Sequence, residues 1–333
     1  MSHKLRFAIA GCGMIAGFHA DAIRSLPNAE LIGAVDYNAQ KAEEFCKKYN
    51  IRVYGSYDEV LSDGDVDAVC ICTPSGFHAE QAIKALQNKK HVVIEKPMAL
   101  NTTDSDRIIA ECEKSRCMLT VISQLRFSEG VQKIKKLIDS NAFGGLIFCD
   151  LYMKYWRNPE YYANCGWKGT ALLDGGGALM NQGIHGIDLL QYIVGEAKLL
   201  HGKTKTAFHN IEVEDVAVAT VEFLNGALGV IEGSTCCYPG FERKIEILGD
   251  NGCAVLREGI IEKLIVNGET IIENAESGSE VNTANDPSAM SYKLHAMQIN
   301  NFINAINGEE KLLIDAKEGR KAVRLIEEIY KCN

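Results

Sequence analysis

LRFAIAGCGMIAG, residues 5–17, decides the fold. LRFAIA is apolar enough for a buried strand, Gly11-Cys12-Gly13 breaks it, and GMIAGFHADAIRSL (13–26) then takes up the apolar spacing of a helix. A strand running through Gly11-x-Gly13-x-x-Ala16 into a helix has the form of a dinucleotide-binding turn. Gly11 permits the tight turn. Gly13 lets the backbone approach a pyrophosphate at the positive helix N-terminus, where Met14 and Ile15 supply the first amides. Ala16 is small enough for close helix–strand packing. The motif alone is weak, but the next strand, ELIGAVD (30–36), ends on Asp36, where a carboxylate accepts the adenosine ribose hydroxyls. Asp36 repels a 2′-phosphate and YNAQK after it offers no arginine, so NAD is expected and NADP is less favoured, with Lys41 the nearby cation for it.

The same rhythm continues outward. NAQKAEEFCKKY (38–49) reads as a helix, VDAVCICT (66–73) as a buried strand, GFHAEQAIKALQN (76–88) as a helix, HVVIE (91–95) as a strand, and MLTVISQ (118–124) as the last strand after a helix near 103–115. This is a parallel βαβ half of about 125 residues. RFSEGVQKIKKLIDS (126–140) reads as one linking helix. Beyond residue 145 the period becomes two, in EDVAVATVEFL, GALGVIEGSTC, FERKIEILGD and CAVLRE. Asn-Gly pairs at 225–226, 251–252 and 267–268 signal type I′ hairpins. The expected fold is α/β: a Rossmann domain over 1–125 and an α/β domain over 126–333 with a large, mostly antiparallel open sheet, the last helix returning toward the first domain. ENAESGSEVNTANDPSAM (273–290) reads as a long loop, and Asp315 with Glu318 as a capping box for the last helix.

Composition excludes several function classes. A net charge of −9 argues against nucleic acid and anionic membrane surfaces as partners, and no apolar run reaches the roughly 20 residues needed to cross a bilayer. The chain enters its first strand with no signal-peptide core, so a cytoplasmic protein with reduced thiols is expected. The twelve cysteines include no CxxC pair, and Cys70 and Cys72 alternate within an apolar strand, so packing is expected and no metal.

At the carboxyl ends of parallel strands, loops line the dinucleotide cleft. CTPSGFH (72–78) therefore offers Thr73 and Pro74 as cofactor contacts, with strand termination as their plainer role. His78 and Glu95 join the cofactor candidates, although His78 also serves simply to cap its helix. Lys96 leaves the strand HVVIE and is pinned by Pro97, which makes it either a solvated loop charge or a cation held at the cleft. SQLRF (123–127) puts Gln124 and Arg126 at the end of the last parallel strand, Arg126 as a substrate anchor. Trp156, Arg157, Trp167 and Lys168 read as a sugar-stacking and anion-binding wall, or else as core and oligomer contacts. DGGGA (174–178) frees backbone amides at a helix start, for a carboxylate or phosphate or simply for a turn. On the helix that follows, Asn181, His185 and Asp188 form a polar stripe beside Met180, Ile184, Ile187 and Val194. His19, on the first helix, is expected to pack.

AGCGMIA, ICTPSGFH and EKP together resemble the Gfo/Idh/MocA family (glucose–fructose oxidoreductase, inositol dehydrogenase), and the resemblance runs through nearly the whole chain. The segment YWRNPEYYANCGWKGTALLDGGGALMNQGIHGIDLLQYIVG (155–195) is similar to the branch containing UDP-N-acetylglucosaminuronate 3-dehydrogenases. The resemblance implies a Rossmann domain with an open-sheet α/β domain that supports a homodimer or homotetramer. It places Lys96 beside the nicotinamide and makes His185 the catalytic histidine. Many members carry an aspartate four residues before that histidine; here the position holds Asn181. The implied activity is NAD-dependent oxidation of a secondary hydroxyl of a sugar, sugar derivative or cyclic polyol, at C3 of a nucleotide sugar or glycoside in the closest branch. Two rivals stand beside it: a redox-neutral glycoside hydrolase or lyase that borrows NAD, and a non-catalytic NAD sensor.

Overall fold

The computed structural model describes residues 4–272 and 291–332; the 273–290 segment read above as a loop lies outside them. The chain divides into two compact units, Met1–Gln124 with Ser291–Arg320, and Leu125–Met290 with Lys321–Asn333.

The first unit is built on strands β1 (Leu5–Ala10), β2 (Ala29–Val35), β3 (Arg52–Val53), β4 (Ala68–Ile71), β5 (His91–Ile94) and β6 (Leu119–Val121). They form one parallel sheet in the order β3-β2-β1-β4-β5-β6. Because β1 lies between β2 and β4, the direction of winding reverses there and a crevice opens at the carboxyl ends of the strands. The crossovers are α1 (Met14–Ser25), α2 (Ala39–Tyr49), α3 (Tyr57–Ser62), α4 (His78–Gln87) and α5 (Thr102–Ser115). The short β3 and α3 were not read from the sequence, because a two-residue edge strand and a six-residue helix carry too little periodicity. Phe7, Ile9, Cys70 and Val93 from the sheet pack with Ala16, Ala20 and Ile23 of α1. Ile299 and Phe302 join this core from helix Lys293–Ile306, α9 in chain order. The Gln298 side chain of α9 ties it to β6, donating to Val121 O at 2.8 Å and accepting from Ser123 N at 3.0 Å. Residues 291–320, which hold α9 and the start of the last helix, group with the first unit.

The second unit holds an eight-stranded sheet of β7 (Leu146–Lys154), β8 (Ala197–Lys205), β9 (Val216–Phe223), β10 (Leu228–Ser234), β11 (Lys244–Gly249), β12 (Gly252–Arg257), β13 (Ile260–Val266) and β14 (Glu269–Ile272). The order is β14-β13-β12-β11-β7-β10-β9-β8, antiparallel except for the β7–β10 pair. One face is buried, as the alternation of Ala217, Ala219, Val221 and Phe223 with exposed Val218, Thr220 and Glu222 requires. The helices are α6 (Glu129–Asp139), α7 (Pro159–Ala163), α8 (Ile184–Val194) and, from Lys321 onward, α10 (Ala316–Tyr330). The expected linking helix over 126–140 is instead a 3-10 turn, Gln124–Phe127, followed by α6. Asp315 Oδ1 accepts the Glu318 N–H at 2.9 Å and caps α10.

Of the three Asn-Gly pairs that fall between the period-two runs, only Asn267-Gly268 has both residues at positive φ, +54° and +78°, as a type I′ turn requires. At 225–226 only Gly226 is positive, and at 251–252 neither residue is. Glu258-Gly259 makes a hairpin of the same kind, at φ +48° and +83°, without the asparagine that would have announced it.

Candidate active site

In the first unit the glycine turn is shaped by close approach. Gly11 sits at φ +92°, and a Cβ there would lie 2.7 Å from the Cys72 carbonyl oxygen, so only glycine fits. Gly13 precedes α1 with no side chain capping the helix, and the space a Cβ would fill is open. The first amides of α1, at Met14 and Ile15, therefore begin at an uncapped, approachable helix N-terminus. Asp36 locks this turn against β2: Oδ2 accepts Cys12 N–H at 2.7 Å and Oδ1 accepts Asn38 N–H at 2.8 Å. Each carboxylate oxygen keeps a second lone pair, so the half-buried group retains capacity for two ribose hydroxyls. Burial pushes the Cys12 thiol up to about 12, which leaves it neutral in the turn. All twelve cysteines are free thiols.

Thr73 and Pro74 follow β4, with Thr73 Oγ1 2.6 Å from Gln81 Oε1 and Pro74 starting the turn Ser75–Phe77. His78 is 1 % exposed, so its ring is a strap between loops: Nδ1 is 2.7 Å from Pro97 O and Nε2 2.9 Å from Thr73 O. Burial pulls its pKa below the ordinary histidine value, against the two carbonyls that would raise it. Glu95 is buried and Lys96 is half-buried, the one residue between Val92 and Ala99 that the fold does not bury. Gln124 is 3 % exposed, and among the described residues its Oε1 has no hydrogen-bond partner.

In the second unit the segment DGGGALMNQ makes a π-helical turn, Ala178–Gly183, before α8. π-turns inside helices frequently mark functional sites. The anion site expected of the three glycines is already filled from within. Glu214 Oε2 accepts Gly177 N–H at 2.9 Å, Oε1 accepts Leu179 N–H at 2.8 Å, and the Glu214 carbonyl accepts Ala178 N–H at 3.0 Å. Tyr330 receives Met180 N–H at 3.3 Å and donates its own hydroxyl to Glu214 Oε1 at 2.7 Å. Gly176 and Gly177 are required by this crowding, a Cβ on Gly176 lying 2.1 Å from Tyr330 Oη and one on Gly177 2.1 Å from Glu214 O, while Gly175 sits at φ +76°. Burial raises the Glu214 carboxyl above its usual range, opposed by these donors.

The polar stripe resolves residue by residue. Asn181 donates to Asp174, which is wholly buried and also accepts Gly169 N–H at 2.8 Å. Asp188 takes the fork of Arg126, Nε at 2.9 Å and Nη2 at 2.6 Å. Arg126 is 2 % exposed and its guanidinium stacks 4.6 Å over Tyr192. Arg126, expected as a substrate anchor, is held in an internal ion pair, since a buried guanidinium needs a carboxylate and Asp188 supplies one. His185 stands between these pairs and alone in the stripe is half-buried. Arg157 is 5 % exposed, with Nε and Nη2 donating to Gln182 Oε1 at 3.2 and 2.7 Å. Its carbonyl oxygen is held by His209 Nε2 at 2.9 Å, and buried Asp215 holds the other ring nitrogen at 3.1 Å. Burial opposes the charge of Asp215, yet the amides of Ala207, Phe208 and His209 keep its pKa below the ordinary value. Trp167 and Lys168 are half-buried, with Lys168 Nζ 3.6 Å from the Tyr161 ring centroid. Trp156 packs with Phe208 and Tyr238, each at 5.4 Å between ring centroids. Glu214, Tyr330, His209 and Asp215 were missed in the sequence, where Glu214-Asp215 reads only as the polar start of a strand.

Known proteins match this arrangement along its length. The oxidoreductase family with an NAD-binding Rossmann fold matches residues 5–123, and the GFO/IDH/MocA C-terminal domain matches residues 131–255. The WlbA dehydrogenase from Bordetella pertussis, solved in complex with NADH and UDP-GlcNAcA, is 31 % identical with a TM-score of 0.88, covering 99 % of this chain and 96 % of its own. The chain belongs to the GFO/IDH/MocA oxidoreductase family. Its GFO/IDH/MocA relatives include myo-inositol 2-dehydrogenase from Thermotoga maritima, 27 % identical over 79 % of this chain and 78 % of the relative. They also include 2,7-anhydro-N-acetylneuraminate hydratase from Escherichia coli, 27 % identical over 74 % of this chain and 66 % of the relative. As a GFO/IDH/MocA protein it is an NAD-linked oxidoreductase, and Gly11, Gly13 and Asp36 fit that cofactor. Among the described residues no helix is long and apolar enough to cross a membrane.

Proposed function

We propose that the protein oxidises a secondary hydroxyl of a sugar to a ketone with NAD, and that its substrate is a nucleotide sugar bearing a carboxylate. The observation that carries this reading is the match, over nearly the full length of both chains, to a dehydrogenase holding NADH and UDP-GlcNAcA. NAD, when bound, accepts the hydride from the carbinol carbon. Two tasks are left to the chain: the hydroxyl proton must leave, and the charge growing on its oxygen must be met by a donor or cation. His185, half-buried on α8 between two internally satisfied polar pairs, is assigned the proton. Lys96, presented at the end of β5 between two buried neighbours, is assigned the oxygen. Asp36 selects NAD over NADP by its charge. Lys168 and Trp167 are the substrate contacts the second unit leaves half-exposed, while Arg157 and Asn181 act from behind the site through Gln182 and Asp174.

The solvent face of the large sheet supports a homodimer or homotetramer. Leu248, Phe148 and Leu228 pair in one row across β11, β7 and β10, and each is more than two-fifths exposed. Twelve free thiols suit the reducing cytoplasm. A redox-neutral cycle is the second reading, favoured by the relative named as a hydratase. Incubation with NAD and UDP-GlcNAcA, myo-inositol and an anhydro sugar separates the two when nicotinamide absorbance and product mass are followed together. A rise in NADH with loss of two hydrogens from UDP-GlcNAcA is expected. A changed sugar without net NADH would replace this reading by the redox-neutral one, and no turnover of any sugar would overturn both.

A further inference from the structure

Glu95 is a carboxylate with 5 % exposure, enclosed by imidazoles from two helices. His19 of α1, wholly buried, meets Glu95 Oε1 through Nε2 at 2.8 Å. His295 of α9, 1 % exposed, brings Nε2 to 3.9 Å from the same oxygen. The two rings meet edge to face at 5.5 Å between centroids, and Phe18 stacks on His295 at 6.0 Å. The other carboxylate oxygen, Oε2, accepts the backbone N–H of Lys96 at 3.2 Å. The chain therefore runs from α9 through α1 and Glu95 to the amide of the residue assigned to the substrate oxygen.

This arrangement is a poor way to fill a core. Among the described residues, His19 Nδ1 and both ring nitrogens of His295 have no hydrogen-bond partner, and leaving a buried polar group unpaired is costly. A leucine or phenylalanine at either position would avoid that cost, so the polar set points to a task beyond packing. Burial by itself would push the Glu95 carboxyl up. The His19 hydrogen bond and the fields of His19, His295 and Lys96 overcome it and hold the group at about 2, an anion at every working pH. The other titratable groups in its field are Cys70 and Cys72 from the β4 side, kept as neutral thiols by burial, and His78 of α4, pulled down by burial.

We propose that His19, Glu95 and His295 are positioning residues for Lys96: the two imidazoles fix the Glu95 carboxylate, which orients the Lys96 backbone and keeps its ammonium charged. The proposal rests on the assignment of Lys96 above only for its catalytic consequence. Two imidazoles and a carboxylate are also a transition-metal ligand set, and the three ligand atoms lie within 4.8 Å of one another. The 2.8 Å His19–Glu95 contact is taken as a hydrogen bond donated by His19 Nε2 to the carboxylate, and a metal at the three ligands is the competing outcome of the test.

The test is competitive acetylation of the full-length protein with acetic anhydride at mildly alkaline pH, each lysine being quantified by peptide mass spectrometry. In Glu95→Gln, loss of the anion releases the Lys96 proton more readily, and Lys96 is expected to label about threefold faster or more while the other lysines keep their rates. His19→Asn and His295→Phe leave the Glu95 anion in place but loosen its orientation, so the Lys96 labelling rate changes in each by less than in Glu95→Gln. Turnover of UDP-GlcNAcA with NAD falls about tenfold or more in Glu95→Gln at nearly unchanged NAD affinity. Unchanged Lys96 labelling in Glu95→Gln, or in His295→Phe and His19→Asn should the first fail to fold, overturns the proposal, as does a divalent metal retained at one per chain. Lys96→Met separates the two readings: full turnover there removes Lys96 from the chemistry and leaves the labelling result standing.

Discussion

Gly11-Cys12-Gly13 and Gly175-Gly176-Gly177 look alike in the sequence, each a glycine turn before a helix, and they end up with opposite duties. At the first turn nothing caps α1, the space above Gly13 is open, and Asp36 braces the turn from the side. At the second, Glu214 and Tyr330 take up the N–H groups of Gly177, Leu179 and Met180, and their bulk explains the missing side chains at Gly176 and Gly177. Glycine at a helix start therefore says that something approaches the backbone closely. Whether that is a ligand or the protein's own carboxylate is decided by residues far away in the chain. The first turn leaves its helix start open, and the second is filled from within beside the helix that carries His185.

Removal of the two groups assigned to chemistry gives the largest effect. Lys96→Met and His185→Asn are each expected to lower turnover by roughly two to four orders of magnitude. NAD affinity measured by calorimetry should stay nearly constant, and the double variant should lose little more than either single one, since both serve one proton-transfer event. Near-normal turnover in both variants would leave the catalytic acid–base elsewhere.

Exchanging the anions of the two turns sharpens the comparison. Glu214→Gln places an amide N–H₂ against backbone donors in a buried site, so stability in urea is expected to fall by about 1–3 kcal/mol, and turnover with it, at unchanged NAD affinity. Asp36→Ala should do the reverse: little change in stability beyond the lost amide contacts, and a preference for NAD over NADP that narrows by about tenfold, the scale of one charge interaction in a half-exposed site. If Glu214→Gln weakened NAD and spared the fold, the two turns would not differ as described.

The smallest effect is in pH dependence. Burial, with His19 beside it, lowers the His295 pKa from 6.5 to about 4. Between those values the unfolded chain takes up a proton that the folded one refuses, so stability falls as pH drops from about 6.5 toward 4, by up to ~1.4 kcal/mol per pH unit for one such group. His78 and His91, lowered by burial, act in the same direction. His295→Phe should flatten this part of the curve in denaturant titrations; an unaltered slope would show that His295 titrates normally in the fold.

What was legible in the sequence was local. The strand–glycine–helix motif, Asp36 at the end of the next strand and Lys96 between a strand and a proline are each fixed by a few neighbouring residues. The rest depended on long-range pairing. Arg126 looks like a free cation until Asp188, 62 positions on, takes its fork, and Gly177 looks available until Glu214, 37 positions on, takes its amide. The π-turn also shifts the register assumed for Asn181, His185 and Asp188, whose i, i+4, i+7 spacing was read as one regular helix face. No periodicity reports such partners, because each partner is itself an ordinary polar residue in its own local pattern.

The contrast between the two turns is tested most directly by amide hydrogen exchange of the full-length protein with and without NAD. The expected result is that NAD slows exchange at Gly13, Met14 and Ile15, while Gly177, Leu179 and Met180 exchange slowly from the start and do not respond. Slowing at Gly177–Met180 with no change at Gly13–Ile15 would contradict the account.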